Sequence, residues 1–261
     1  MAYHSIVLGG AARSVLAFGF LLAPLSAEAH FGMVLPDTAM VGKDADRSVD
    51  VTFAFLHPFG QFGMELVPPA SVTVHSGEST TDLTEELVPA TVFDEPAFTA
   101  SVPLTRPGTY TIAMEPEPYW EPAEDVFIIH YTKAAIAAFG DDTGWDAELG
   151  LPTEIIPLTR PFGLWEGNVF QGIVKSDGAP VPFAEIEVEF WNDAGVSLPD
   201  ELMETQSIKA DANGVFTYAP PGPGWWAFAA LSTADYTMEQ DGVDKNVELG
   251  AVFWVNVEPW P

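Results

Sequence analysis

Asp177-Gly178-Ala179-Pro180-Val181-Pro182-Phe183-Ala184-Glu185-Ile186-Glu187-Val188-Glu189-Phe190 is the stretch on which the fold class turns. Asp-Gly marks a tight hairpin turn, and from Ala184 onward apolar and acidic residues alternate, so that every second side chain shares a face. Ile186, Val188 and Phe190 form the expected core face. The three glutamates are expected on a solvated face and not as a metal site, because carboxylates at every second position of a strand ordinarily meet water. On the upstream side, Gly167 to Val174 reads as a preceding strand and Ser176-Asp177-Gly178 as the turn. On the downstream side, Asp211-Ala212-Asn213-Gly214 turns into the strand Val215-Phe216-Thr217-Tyr218, and Gly224-Trp225-Trp226-Ala227-Phe228-Ala229-Ala230 follows as a buried strand. The Asp211 turn lacks the further spaced acidic ligands and the closing glutamate of a calcium loop, which leaves a plain Asn-Gly turn.

The same alternation appears earlier in the chain. Val49-Asp50-Val51-Thr52-Phe53-Ala54-Phe55 and Ser71-Val72-Thr73-Val74-His75 read as half-buried strands, and Arg106-Pro107-Gly108 as a turn into Thr109-Tyr110-Thr111-Ile112-Ala113-Met114. With 22 glycines and 23 prolines in 261 residues, short strands and turns are favoured over long helices. One short helix is expected at Thr132-Lys133-Ala134-Ala135-Ile136-Ala137-Ala138-Phe139, alanine-rich and stopped by Gly140. The run Asp141-Asp142-Thr143-Gly144-Trp145 and residues 152–161 read as connecting loop, with a domain boundary near Pro157.

In the second half, Gly172-Ile173-Val174, then Asp177-Gly178-Ala179-Pro180-Val181-Pro182-Phe183-Ala184-Glu185-Ile186-Glu187-Val188, then Ala210-Asp211-Ala212-Asn213-Gly214-Val215-Phe216 resembles the prealbumin-like sandwich often appended to exported proteins. The expectation is an all-β protein of two β-sandwich domains, an Ig-like one over 30–157 and a prealbumin-like one over 158–261, with one short helix.

Charge and cysteine content narrow the chemistry. The 38 acidic residues against 9 basic ones give a net charge of -29, which repels nucleic acid and attracts cations. There is no cysteine, which excludes disulfide scaffolds, thiolate metal sites and thiol catalysis. Arg13, the apolar run Val15-Leu16-Ala17-Phe18-Gly19-Phe20-Leu21-Leu22-Ala23, Pro24 and Ala27-Glu28-Ala29 have the layout of a secretory signal peptide over 1–29. The apolar run is shorter than the roughly 20 residues that a spanning helix needs. A periplasmic protein with no membrane span after cleavage is therefore expected.

Cleavage after Ala29 places His30 at the new amino terminus. Its α-amine and imidazole Nδ1 can then chelate one cation, a donor pair that no internal histidine offers, and the amine titrates near neutrality. His57, in Phe55-Leu56-His57-Pro58-Phe59-Gly60, lies at a strand end where proline turns the chain out of the sheet, and is a candidate second ligand. Met64 is either a soft thioether ligand or core. His130 closes Val126-Phe127-Ile128-Ile129-His130 and is either a satisfied core histidine or a third ligand, while His75 is expected at the surface. The run Met114-Glu115-Pro116-Glu117-Pro118-Tyr119-Trp120-Glu121-Pro122-Ala123-Glu124-Asp125 reads as an ordered acidic loop that draws cations in or donates one oxygen ligand, with Glu117 the first choice.

His30-Phe31-Gly32-Met33, His57-Pro58-Phe59 with Met64 beyond it, the acidic-aromatic run followed by Phe127-Ile128-Ile129-His130-Tyr131-Thr132-Lys133, and Gly224-Trp225-Trp226 with Val247-Glu248-Leu249-Gly250-Ala251-Val252 together resemble the periplasmic nickel/cobalt uptake family, some of whose members are described only as domains of unknown function. The resemblance implies a non-enzymatic binding protein that carries nickel(II) or cobalt(II) to membrane metal importer subunits, with His30 and His57 the positions that matter most. The alternative is a copper protein, either a polysaccharide monooxygenase or a carrier, because an N-terminal histidine with a second histidine on a β-sandwich also resembles that copper site.

Overall fold

The computed structural model describes residue 1 and residues 30–261; residues 2–29 of the stretch read as a signal peptide lie outside the described residues. The strand Val243–Glu258 is its seam, pairing antiparallel with Gly224–Gln240 on one side and parallel with Val126–Ala138 on the other. One sheet therefore runs from Gln206–Lys209 through Glu185–Phe190, Gly224–Gln240, Val243–Glu258, Val126–Ala138, Gly108–Glu115 and Ser71–Ser76 to Ser79–Asp82. Alternate residues of the seam enter different cores. Val252 and Trp254 pack in a cluster with Phe31, Phe53 and Ile112, whereas Ala251, Phe253 and Val255 pack in a second cluster with Ile155, Phe170 and Phe216. That division is the period-two geometry of a strand buried on both faces.

Two smaller sheets cover the large one. The first joins Phe31–Pro36, Ser48–His57, Glu95–Pro103 and Val88–Val92, with Phe62–Met64 added against Ser48–His57. The second joins Thr153–Pro157, Phe170–Ser176 and Ala179–Pro180, with Val215–Tyr218 on its other side. The protein is all-β, with two sandwich cores packed on opposite faces of a shared middle sheet. Pro157 ends the strand Thr153–Pro157, and strands from both sides of that position enter the middle sheet.

The expected helix at 132–139 is instead the second half of the strand Val126–Ala138, and among the described residues the only helical turns are the short 3-10 segments Thr84–Glu86 and Glu201–Met203. Alanine's helix propensity is overridden here by position. From Phe127 to Ala138 every residue is buried, with Ala134 and Ala138 in one core and Ala135 and Ala137 in the other. Small side chains let both layers close on this strand, which is a packing preference that propensity does not encode. The hairpin turn is as expected: Asp177 and Gly178 both have positive φ, 48° and 74°, as the tight primed turn requires.

The face carrying Glu185, Glu187 and Glu189 departs from the expected solvated face. Glu185 is exposed, Glu187 is half-buried and Glu189 is only 3% exposed. The register places them beside Leu231, Ala229 and Ala227, on the side of the middle sheet that meets the first small sheet. The loop after His57 closes over Glu189, whose Oε2 accepts a hydrogen bond from the Phe59 backbone N–H at 3.1 Å.

Candidate metal-binding site

The register of two strands brings His30 and His57 together. Phe31 pairs with Leu56 in the antiparallel ladder between Phe31–Pro36 and Ser48–His57, so the residue before Phe31 lies opposite the residue after Leu56. Directly opposed side chains share a face and start about 5 Å apart. The two imidazole rings accordingly have centroids 4.6 Å apart, tilted by 54°, and both residues are buried. Phe55, two residues before His57 on the same face, stacks on His30 with centroids 5.7 Å apart.

His30 is oriented from the middle sheet. Its Nε2 lies 3.2 Å from Oε2 of Glu121, which ends the short strand Tyr119–Glu121 paired with Val126–Ala138. The other Glu121 oxygen accepts the Ala123 backbone N–H at 2.8 Å, which fixes the carboxylate. A carboxylate accepts only, so His30 donates from Nε2 and in its neutral form keeps its lone pair on Nδ1. That is the nitrogen closer to the main chain, and therefore the one able to share a cation with an α-amine at residue 30. A carboxylate on the far nitrogen is also the usual device that holds a metal-binding imidazole in place.

His57 is held through its loop. Besides the Phe59–Glu189 bond, Asn192 donates from Nδ2 to the Phe59 carbonyl at 3.1 Å and from its backbone N–H to the Pro58 carbonyl at 3.3 Å. Gln61 donates from Nε2 to the Asn192 carbonyl at 2.5 Å. Both halves of the chain thus build the His57 side of the site.

His130 stands one ring away. It is 1% exposed, meets Phe55 edge-on at 5.8 Å, and its Nε2 lies 3.3 Å from Oε1 of Glu248. Two glycines make room for it: a Cβ on Gly250 would fall 2.2 Å from its Cδ2, and a Cβ on Gly32 would fall 3.2 Å from its Cβ and 2.1 Å from Oγ1 of Thr132. The Trp254 indole N–H bonds the Gly32 carbonyl at 2.8 Å, pinning the first strand to the middle sheet.

Carboxylates make the surroundings strongly negative. Burial, together with Glu248, Glu189, Glu185 and Glu124, pushes the Glu187 carboxyl up to about 7, and its Oε2 is buried with no hydrogen-bond partner. Burial also raises Glu124; His30 opposes that shift, and Glu248 and Glu121 add to it. Burial works to raise Glu248 as well, but the hydrogen bond from His130 and the charges of His130 and His30 outweigh it and hold this carboxyl below the usual range. Two of these groups, Glu124 and Glu248, therefore sense His30 electrostatically.

Among the described residues no group of three or more His, Asp or Glu side chains is placed to hold a metal ion. The structure brings His30 and His57 together and leaves His130 behind Phe55. Glu117 lines a neighbouring cavity, and Glu121 is the residue of the acidic run that bonds His30. Met64 is buried in the core cluster. His75 is half-buried between the hydroxyls of Thr73 and Thr80. Within the acidic run sequence reading favoured Glu117 over Glu121, it expected Glu189 on a solvated face, and it gave no role to Asn192 or Glu248; of these, Glu121 alone lay in a run already singled out for an oxygen ligand.

A family model described as "Domain of unknown function (DUF4198)" matches residues 27–234. No curated protein matches. Among solved structures the chain is similar to the adhesin InvE of Yersinia pseudotuberculosis at 14% identity, over 84% of this chain and 58% of that one, with a TM-score of 0.24. It is also similar to trypsin-activated alpha-2-macroglobulin from Escherichia coli at 9% identity, over 89% of this chain and 16% of that one, with a TM-score of 0.25. A third likeness is to fibronectin(III)-like modules of Clostridium thermocellum CbhA at 10% identity, over 87% and 95% of the two chains, with a TM-score of 0.20. Our chain thus spans a little over half of the adhesin and about a sixth of the macroglobulin.

Proposed function

The chain belongs to the DUF4198 family, and from that premise we propose that it is an exported binding protein whose cargo is a late first-row divalent metal, nickel(II) or cobalt(II), for delivery to a membrane importer. The observation that carries the reading is the opposed pair His30 and His57, with Glu121 on the far nitrogen of His30. Two imidazoles supply two nitrogen donors. The third is the α-amine that cleavage after Ala29 would free, which reconciles a nitrogen site with the lack of a third convergent His, Asp or Glu side chain among the described residues. Borderline nitrogen donors suit nickel, cobalt and copper better than calcium or magnesium. The acidic surroundings raise the local cation concentration and help neutralise the bound charge.

A copper reading has its own support. Two imidazoles and one amine form a three-nitrogen set, and copper(II) stands highest in the affinity order for such donors. That set serves a carrier or a copper-dependent oxidation of polysaccharide equally well, so the metal ranking belongs to the test.

The test is calorimetric titration of nickel, cobalt, copper and zinc into a chain that begins at His30 and into one with a single alanine ahead of it. The native terminus is expected to bind more tightly by roughly tenfold or more, and His57→Ala to weaken binding in the native form. Equal affinities for the two termini would remove the amine from the site. No binding by either would overturn the metal reading.

A further inference from the structure

Beside the histidine pair, but lined by neither His30 nor His57, is a cavity of about 200 Å³. Phe55, Tyr119 and Trp120 contribute aromatic surface, and Glu65 and Glu117, both exposed, put carboxylates at its mouth. No lysine or arginine lines it. His130 lies on its inner wall with Nε2 engaged by Glu248 and with Nδ1 buried and without a hydrogen-bond partner. A buried polar atom that the protein itself leaves without a partner is uncommon in a folded protein and calls for a donor from outside the chain, a water or a ligand atom. Glu248 accepts the proton of Nε2, so Nδ1 of the neutral ring is an acceptor that calls for an N–H or O–H.

The two ends of the cavity therefore ask for different groups. The inner end wants a hydrogen-bond donor, the middle a flat apolar body, and the mouth a positive charge. We propose that this cavity binds a small arylalkylamine carrying a ring N–H or O–H: the ring donor meets His130 Nδ1, the ring lies among Phe55, Tyr119 and Trp120, and the ammonium sits between Glu65 and Glu117. The field at the wall agrees with a cationic ligand. The Tyr119 hydroxyl is pushed up first by burial and then by Glu121, Glu95 and Glu65, so negative charge reaches that wall.

This site is independent of metal, which sets the design of the experiment. Tyramine is titrated calorimetrically into the metal-free protein in the presence of EDTA, next to tyrosol, which keeps the phenol but lacks the charge, and phenethylamine, which keeps the charge but lacks the ring donor. Tyramine is expected to bind about five- to tenfold more tightly than either. The double variant Glu65→Gln/Glu117→Gln is expected to bring tyramine down to the level of tyrosol and to leave tyrosol unchanged. Because phenethylamine probes His130 from the ligand side, the acceptor is tested without replacing a buried residue. Equal binding of all three compounds, or no binding of tyramine at millimolar concentration, would overturn the proposal and leave the metal titrations untouched.

Discussion

At the scale of single residues, Glu121 is the side chain whose replacement separates a metal-binding histidine from a merely buried one. Glu121→Gln keeps the shape and can still hydrogen-bond Nε2, but as a neutral partner it no longer dictates which ring nitrogen carries the proton. Metal affinity is expected to fall about 10–100-fold with the fold intact, measured by titration alongside a thermal melt. If affinity is unchanged, the carboxylate does not orient a ligand. Glu187 provides a second residue-scale prediction, this time about stability. Its carboxyl is pushed up to about 7 in the folded state, above the ordinary glutamate value of 4.5, so the folded state holds more protons between those values. Stability is then undiminished below about pH 4.5, declines as pH rises towards 7, and stays reduced above it. Glu187→Gln is expected to remove this decline and to stabilise the protein at pH 8 but not at pH 4.5, by on the order of 1–2 kcal/mol after allowing for its partial exposure. Urea unfolding at the two pH values measures it, and an equal effect at both would show that the carboxyl is not buried as described. The sequence placed this group on a solvated face, because alternation separates the two faces of a strand but cannot say that both are covered.

At the scale of elements, Val126–Ala138 shows why a local pattern can mislead. Thr132 to Phe139 has the composition of a helix, yet Lys133 in the middle of it is 1% exposed and bonds Glu154 at 2.5 Å across to the strand Thr153–Pro157. A lysine so placed reads as the polar face of a helix when the sheet on its far side is unknown. Lys133→Met leaves the Glu154 carboxylate buried without its cation and is expected to cost about 3–5 kcal/mol in urea unfolding. Adding Glu154→Gln should recover part of that loss, because it removes the unpaired charge and keeps a side-chain oxygen for the Leu149 and Gly150 backbone N–H groups that the carboxylate accepts. The strands themselves were legible wherever one face meets water or a turn bounds them, as at Ser71–Ser76 and Asp177-Gly178. The loop after His57 belongs to the same scale, since its position is set by Glu189 and Asn192 from an element far along the chain. Asn192→Ala removes the side-chain donor to the Phe59 and Val196 carbonyls and the acceptor of the Val196 N–H, while the backbone bond to Pro58 stays, and is expected to lower stability by about 1–3 kcal/mol and metal affinity several-fold. A stability loss with unaltered affinity would show that the loop does not position His57.

At the scale of the whole molecule, the candidate site depends on a strand, Val243–Glu258, that lies beyond the whole N-terminal half in the sequence. His30, His57 and Glu121 were legible as candidates or as part of a singled-out run because they belong to the first half, where spacing and the expected cleavage point speak for them. What holds them does not. Val243–Glu258 pairs with Val126–Ala138 over Val126 to Ala134, its Trp254 bonds the Gly32 carbonyl, and its Gly250 leaves the space that His130 fills. Pairings between distant strands depend on the tertiary fold, and no periodicity within either strand announces them. A chain of residues 30–157 would lose that neighbour along Val126–Ala138 and expose one face of its alanine run, together with Phe31 and Ile112 where Trp254 and Val252 now pack. It would also leave Lys133 without Phe253, over whose ring its ammonium sits at 5.7 Å. Exposing a long paired edge and a core face together removes more apolar burial than a domain's net stability of about 5–15 kcal/mol can absorb. The 30–157 fragment is therefore expected to give no cooperative urea transition and no metal binding in calorimetry, whereas the chain 30–261 gives both. A fragment that unfolds cooperatively and binds metal as the longer chain does would mean that the N-terminal half is a domain in its own right, and that the shared sheet serves to dock two finished sandwiches and not to complete one of them.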